Sequence, residues 1–167
     1  MGEDWRVDRI GAARRGDNPM VLARMRSGFA VIGDTQHLPG YCVLLADAPG
    51  PEDADVDHLT DLSRADRAVF LTDMGLVGEA VFAACNGFDP GFRRVNYEIL
   101  GNTDHYLHAH VHARYSWEPV RYRDSPVSRY PDEERFADEH AYADERHGHL
   151  RAAITRELEK RMSEAYA

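Results

Sequence analysis

Apolar and polar positions alternate strictly from residue 106 to residue 113, where Leu107, Ala109, Val111 and Ala113 interleave with Tyr106, His108, His110 and His112. A period of two is that of a half-buried strand, so the three histidines share one face and the small aliphatic side chains the other. The aliphatic face suits close packing against a helix. Upstream, Phe70, Met74, Val77 and Val81 recur at spacings of four, three and four, which predicts one apolar helical stripe. Ser63-Arg64-Ala65-Asp66 opens that helix as a capping box with Asp in the place of the usual Glu, and Asn86-Gly87 supplies its stop. Gly75 and Gly78 inside it each cost about 1 kcal/mol relative to Ala, which predicts close backbone packing against a sheet. Residues 93–100 read as the strand before the histidine strand, with Val95, Tyr97 and Ile99 on one side and Asn96 and Glu98 on the other.

The flanks follow other patterns. Residues 1–17 are polar, with Gly11 and Gly16 around Arg14-Arg15, and predict an extended arm whose order depends on a neighbour. Residues 47–61 contain Pro49-Gly50-Pro51 and six acidic side chains, the composition of a solvated loop. After Arg114, Trp117, Pro119, Pro126 and Pro131 punctuate a segment expected to wrap over the site or over a partner subunit. Residues 132–167 predict a charged helical tail, interrupted at His147-Gly148-His149 and ending on the stripe Leu150, Ile154, Leu158 and Met162. The tail histidines His140, His147 and His149 read as a solvated face rather than as metal ligands. There is no internal repeat.

Composition narrows the function class. A chain of 167 residues, 43% hydrophobic, suits one globular domain with a single core. A net charge of −9 argues against a general binder of nucleic acid or of anionic membranes. Arg93, Arg94 and Arg114 remain available to hold a small anion locally. Cys42 and Cys85, far apart in sequence, form neither a zinc motif nor a disulfide framework and read as packed thiols. No apolar run approaches the roughly 20 residues of a membrane span, and the first residues lack the pattern of a signal peptide, so a soluble cytoplasmic protein is expected.

The chemistry is concentrated in the His-x-His-x-His strand. Imidazole is the side chain whose ordinary pKa lies nearest neutrality, so such a row can supply a nucleophile, a proton donor or metal ligands. Three readings follow from the residues: polar positions on a solvated strand, a three-imidazole metal site using His108, His110 and His112, or nucleophilic catalysis on a phosphate ester or anhydride.

Asn96-Tyr97-Glu98-Ile99-Leu100-Gly101-Asn102-Thr103, Leu107-His108-Ala109-His110-Val111 and Arg114-Tyr115 resemble the signature of the histidine triad (HIT) family of nucleotide hydrolases and transferases. Gly28-Phe29-Ala30-Val31-Ile32-Gly33-Asp34, a turn with Pro39-Gly40, and Tyr41-Cys42-Val43-Leu44-Leu45 resemble the strand, turn and strand of that family's nucleoside pocket. The likeness covers residues 18–118, with residues 1–17 as an arm and residues 119–167 as a loop and helical extension of the same domain. Anchoring on Gly101-Asn102 and Arg114-Tyr115 places Tyr106, His108 and His110 at the three triad positions. Tyr106 then stands where the family carries its first His, His112 replaces an apolar residue and Ala113 a common Pro.

The resemblance implies an α+β fold: an antiparallel sheet of about five strands, one long packed helix and additional C-terminal helices. It also implies attack by His108 on the phosphorus next to a nucleoside, through a covalent nucleotidyl-histidine. His110 would donate to a phosphate oxygen, and Asn102, Thr103 and Arg114 would add donors. Asp34 would accept from ribose hydroxyls, and Asn96 would contact the sugar or phosphate. Tyr106 and His112 are accessory candidates. No cofactor and no metal is expected; the partners expected are a small nucleotide, such as a dinucleoside polyphosphate, and a second copy in a homodimer. Two alternatives stay open: a nucleotide-binding module without turnover, and the three-His metal protein.

Overall fold

The small aliphatic face of the histidine strand decides the layering. In the computed structural model, which describes residues 4–48 and 56–167, β1 (Val21–Arg24), β2 (Gly28–Ile32), β3 (Cys42–Ala46), β4 (Phe92–Glu98) and β5 (His108–Tyr115) form one antiparallel sheet of order β1-β2-β3-β5-β4. The histidine strand is therefore paired on both sides. Val43 lies opposite His110 and Leu45 opposite His108 on one flank, while Asn96 lies opposite His112 on the other.

Helix α2 (Arg64–Phe88) packs across β3, β4 and β5 and buries Phe70, Val77, Ala80, Val81, Ala84 and Cys85. Ala109, Val111 and Ala113 are fully buried. Ser63 caps the helix as expected: its hydroxyl oxygen accepts from the Asp66 amide at 3.1 Å and its O–H donates to the Asp66 carboxylate at 2.6 Å. The stop falls slightly late, at Phe88 rather than at Asn86-Gly87. Contrary to expectation, α2 is long and apolar enough to cross a membrane by length and composition. Its apolar side is spent on the sheet and on a second helix, the place of a core helix.

Asp73 is the polar exception on the buried side of α2. Its fully buried carboxylate accepts from the Ser27 amide and hydroxyl, each at 2.7 Å, and from the Tyr166 hydroxyl at 2.5 Å. One side chain thus ties the β1–β2 turn, the long helix and the C-terminal end together. A buried carboxylate is tolerated where donors surround it, as they do here.

Two expectations need correction. The polar arm is ordered as a helix, α1 (Arg9–Arg15), capped by the Asp8 carboxylate, which accepts from the Gly11 amide at 2.8 Å, and closed by Gly16 at φ 81°. It buries Ile10, Ala12 and Ala13, so a seven-residue element anchors itself through a small apolar face. The predicted interruption at Gly148 is absent, because α5 (Asp144–Ala165) runs straight through it. The cost of one helical glycine, about 1 kcal/mol, is outweighed by burying Leu150, Ile154 and Leu158 against α2. The acidic loop lies partly outside the described residues, 49–55, and its ends are tied down. Asp47 pairs with Arg14 and Arg24, and the Val56 carbonyl accepts from the Leu107 amide at 2.6 Å.

The segment after β5 wraps over the histidine face. It contains α3 (Val120–Arg123) and α4 (Asp132–Arg135), with 3-10 turns at Val127–Arg129 and Asp138–His140. Bridging bonds fasten it: the Gln36 amide donates to the His140 carbonyl at 2.7 Å, Thr35 Oγ1 to the Arg135 carbonyl at 2.5 Å, and the Tyr142 amide to the Asp34 carbonyl at 2.7 Å.

The two helical glycines separate cleanly. A Cβ on Gly78 would lie 2.1 Å from Tyr97 Oη, whereas one on Gly75 would meet nothing within 4 Å. Gly75→Ala is therefore expected to raise stability by about 1 kcal/mol, and Gly78→Ala to fall short of that because the Tyr97 ring must move. Chemical denaturation of the two variants checks this; equal gains would contradict it.

Candidate active site

Strand β5 carries His108, His110, His112 and Arg114 on one face, two residues apart, and four different environments receive them. The His108 ring nitrogen Nδ1 lies 2.8 Å from the Tyr106 carbonyl oxygen. A carbonyl only accepts, so Nδ1 carries the proton and Nε2 is left with a lone pair. His110 has the opposite arrangement. Its Nδ1 lies 2.7 Å from the Tyr41 hydroxyl, which burial keeps protonated. That hydroxyl has no other acceptor among the described residues, so the phenol donates to Nδ1 and the neutral His110 ring carries its proton on Nε2. Burial first, and then His108, lowers His110 to about 4, so at neutral pH it is an uncharged donor. The two adjacent imidazoles thus present one acceptor and one donor.

Both rings face a cavity of about 220 Å³. Met20, Val31, Val43 and Leu45 give it an apolar floor, and Asp34, Arg9, Asp104 and Tyr106 a polar rim. Arg9 donates to both Asp34 carboxylate oxygens, at 3.1 and 2.7 Å. A carboxylate offers about four acceptor positions, so two remain for other donors. The Tyr106 ring stands 5.0 Å from that of His108. Burial and the nearby Asp104 raise its phenol above the ordinary value, so it is neutral and uncharged. The group that orients His108 is the main-chain carbonyl of Tyr106, not its side chain.

His112 is buried and stacked on Tyr41, with ring centroids 4.4 Å apart and planes 7° from parallel. Burial lowers it to about 3. The His108 and His110 rings are nearly perpendicular, at 81°, while His110 and His112 are parallel within 10°. Among the described residues, no three His, Cys, Asp or Glu side chains are grouped to hold a metal ion.

The remaining predicted residues are placed differently from one another. The Arg114 guanidinium is buried, with all five donors engaged: Glu118 at 2.8–3.1 Å, Asn96 Oδ1 at 3.0 Å, and the carbonyls of Tyr122, Arg123 and Ser125. Glu118 also accepts from the Tyr115 amide and the Tyr130 hydroxyl. Arg114 and Asn96 therefore hold the wrapping segment to the sheet and line neither this cavity nor the smaller one of about 120 Å³ beside it, walled in part by His37, His112 and Phe136. Asn102 and Thr103 are exposed on the loop leading into β5. Arg93 and Arg94 are exposed on β4 and do not reach the cavity; Arg9 lines it, and Arg114 and Arg135 act on His112.

Sequence reasoning passed over Arg9, Arg135, Phe136 and the hydroxyl of Tyr41. Arg9 and Arg135 sit in segments that read as arm and tail, without periodicity pointing inward. Tyr41 carried a usable signal, since it follows Pro39-Gly40 at the head of a pocket strand. Cys42 and Cys85 are buried and unbridged, with burial pushing the Cys85 thiol up to about 11.

Because the folded values of His110 and His112 lie below the roughly 6.5 of an unfolded chain, the unfolded chain takes up protons first as pH falls. Their contribution is complete above about pH 6.5 and declines as the pH drops toward about 4. Denaturant unfolding at about pH 7 and about pH 4.5 is expected to show this decline. His112→Phe, which keeps the stacked ring, is expected to reduce it; an unchanged pH dependence in that variant would contradict the assignment.

No protein-family model matches the sequence, and no curated protein matches it either. Solved structures do match in shape. A histidine triad protein from Sinorhizobium meliloti superposes with a TM-score of 0.66 at 20% identity, covering 93% of this chain and 96% of that one. One from Marinobacter aquaeolei gives 0.64 at 19% identity, covering 84% and 88%. A histidine triad nucleotide-binding protein from Sulfolobus tokodaii, described as hypothetical, gives 0.59 at 15% identity, covering 90% and 91%. The fold of this chain is that of the histidine triad proteins.

Proposed function

We propose that the chain is a cytoplasmic nucleotidyl hydrolase or transferase that acts at the nucleoside-linked phosphate through a covalent nucleotide on His108. One observation carries the reading: neighbouring imidazoles on one strand are held in opposite tautomers, His108 by the Tyr106 carbonyl and His110 by the Tyr41 hydroxyl. The lone pair on His108 Nε2 attacks phosphorus, and the uncharged N–H of His110 donates to a non-bridging oxygen as charge builds there. Splitting one displacement into two in this way lowers each barrier.

The substrate's base takes the apolar floor formed by Val31, Val43 and Leu45, and the ribose hydroxyls donate to the free acceptor positions of Asp34, which Arg9 orients. Asn102 and Thr103, on the approach loop, supply donors to the outer phosphate oxygens. Asn96 and Arg114 act as positioning residues, since every donor of Arg114 is already engaged. His112 packs against Tyr41 and stays outside the displacement. The solved structure whose description mentions nucleotide binding supports the ligand class.

His108→Ala is expected to abolish nucleotidylation, and mass spectrometry of a trapped intermediate to place the nucleotide on His108. Attachment to His110 would overturn the register. His110→Ala is expected to lower the rate by about 10²–10³, the effect of losing one positioned oxyanion donor, while His112→Ala retains substantial activity.

Tyr106 sets the leaving-group preference. A neutral phenol donates a hydrogen bond but carries no positive charge, which favours phosphate or nucleotide leaving groups over amines that need an acid. Tyr106→His is expected to raise phosphoramidate turnover relative to polyphosphate turnover. A wild type that already prefers phosphoramidates, with a ratio unmoved by Tyr106→His, would contradict this.

A further inference from the structure

The segment that covers the histidine face is fastened over a histidine of its own. His37, in the turn before β3, meets the rings of Tyr130 and His140 edge-on, each with centroids 4.7 Å away. The bonds between turn and cover surround it: the Gln36 amide donates to the His140 carbonyl, Thr35 Oγ1 to the Arg135 carbonyl and the Tyr142 amide to the Asp34 carbonyl, while Thr35 pairs with Ala141 as an isolated bridge. No residue from 131 to 143 is fully buried. Hydrogen bonds with little apolar burial behind them mark a stretch that opens on its own.

Both ring nitrogens of His37 are closed off from water and have no hydrogen-bonding partner among the described residues. Buried polar atoms are nearly always paired, and those left over call for an explanation. A neutral imidazole here leaves one donor and one acceptor unused. A charged one would leave two donors unused and strand a positive charge.

The groups that face His37 do not offset that cost. His140 would repel it as a second cation; its own nearest carboxylate is Glu139, at 3.6 Å, and His147 lies within its field. Arg135 adds positive charge and is paired with Asp132. Glu134 and Glu118 attract a charge on His37 without bonding to it, and both are engaged elsewhere, Glu134 with Arg121 and Glu118 with Arg114 and the Tyr130 hydroxyl. Tyr130 stays neutral. Burial first, and then His140, holds His37 below its ordinary value.

Lifting residues 131–143 reverses the balance, because both nitrogens then meet water and the imidazole regains a pKa near 6.5. The open form binds the proton more readily, so closure is complete above about pH 6.5 and weakens by up to about tenfold per pH unit below it. We infer that His37 makes residues 131–143 a pH-sensitive lid, which encloses the neutral imidazole when shut and is released when that imidazole takes a proton. Phe136, a wall of both cavities, leaves with the lid, and the Asp34 carbonyl loses the Tyr142 amide. The lid itself is independent of nucleotidyl transfer; that it covers a nucleotide rests on that reading.

The test is NMR amide exchange on the full chain at pH 7.5 and 5.5, each rate corrected for the intrinsic pH dependence of exchange. Protection of the Gln36 and Tyr142 amides, which cross between turn and lid, is expected to fall several-fold, up to the roughly tenfold that one proton allows over this range. The amides of β5 are expected to keep theirs. His37→Phe, which retains a ring against Tyr130 and His140, and the smaller His37→Leu are each expected to remove the fall. Nitrogen-15 shifts of wild-type His37 are expected to report an uncharged ring wherever the two amides are protected. Unchanged protection in the wild type, or protection that persists around a doubly protonated His37, would overturn the lid. An equal fall in both variants would assign the proton to His110 or His112 and overturn it too. Saturating nucleoside monophosphate is expected to raise protection of the same amides at pH 5.5. If the pH response holds and the nucleotide changes nothing, the nucleotide reading fails and the lid stands.

Discussion

Strand β5 is paired on both sides, and the rest of the structure depends on that double constraint. Its backbone is hydrogen-bonded to β3 and β4 along its length, so a one-residue slip would exchange its faces. Ala109, Val111 and Ala113 then point only toward α2, and His108, His110 and His112 only toward the cavities. Cross-strand neighbours are set by the same register. Val43 and Leu45 come to line the larger cavity beside His110 and His108 because antiparallel pairing places them opposite.

The second constraint is the ion pair between Arg114 and Glu118, almost wholly removed from water. A buried pair of this kind is not in itself strong stabilisation, but removing either partner leaves a buried charge unmatched. Here the pair also recruits three main-chain carbonyls from residues 122–125 and the hydroxyl of Tyr130. It thereby anchors the beginning of the segment that goes on to deliver Arg135 and Phe136 to the histidine face. An arginine expected to touch substrate instead builds the cover of the site.

Much of this was legible in the sequence, for a physical reason. The strand alternation, the helix stripe and the Ser63 cap are local, and the structure follows them closely. The likeness to histidine triad proteins was legible in Gly101-Asn102, the His-x-His pair and Arg114-Tyr115, and the fold agrees with it. What was not legible depends on long-range packing. The helicity of residues 9–15 rests on burying three apolar side chains, Ile10, Ala12 and Ala13. Continuity through Gly148 rests on α2 burying the stripe of α5. The engagement of Asp34 by Arg9, and of His110 by Tyr41, joins side chains 25 and 69 residues apart. Expected donors such as Arg114 could be identified by type, but only the fold reveals that their hydrogen bonds are already taken.

The central claim is that two neighbouring imidazoles are locked in opposite tautomers. Nitrogen-15 NMR of the histidine side chains at neutral pH reads this directly, since protonated and unprotonated ring nitrogens are distinct. The account predicts His108 with its proton on Nδ1 and a bare Nε2, and His110 uncharged with its proton on Nε2. A His108 protonated on Nε2, or a His110 carrying both protons at neutral pH, would contradict it.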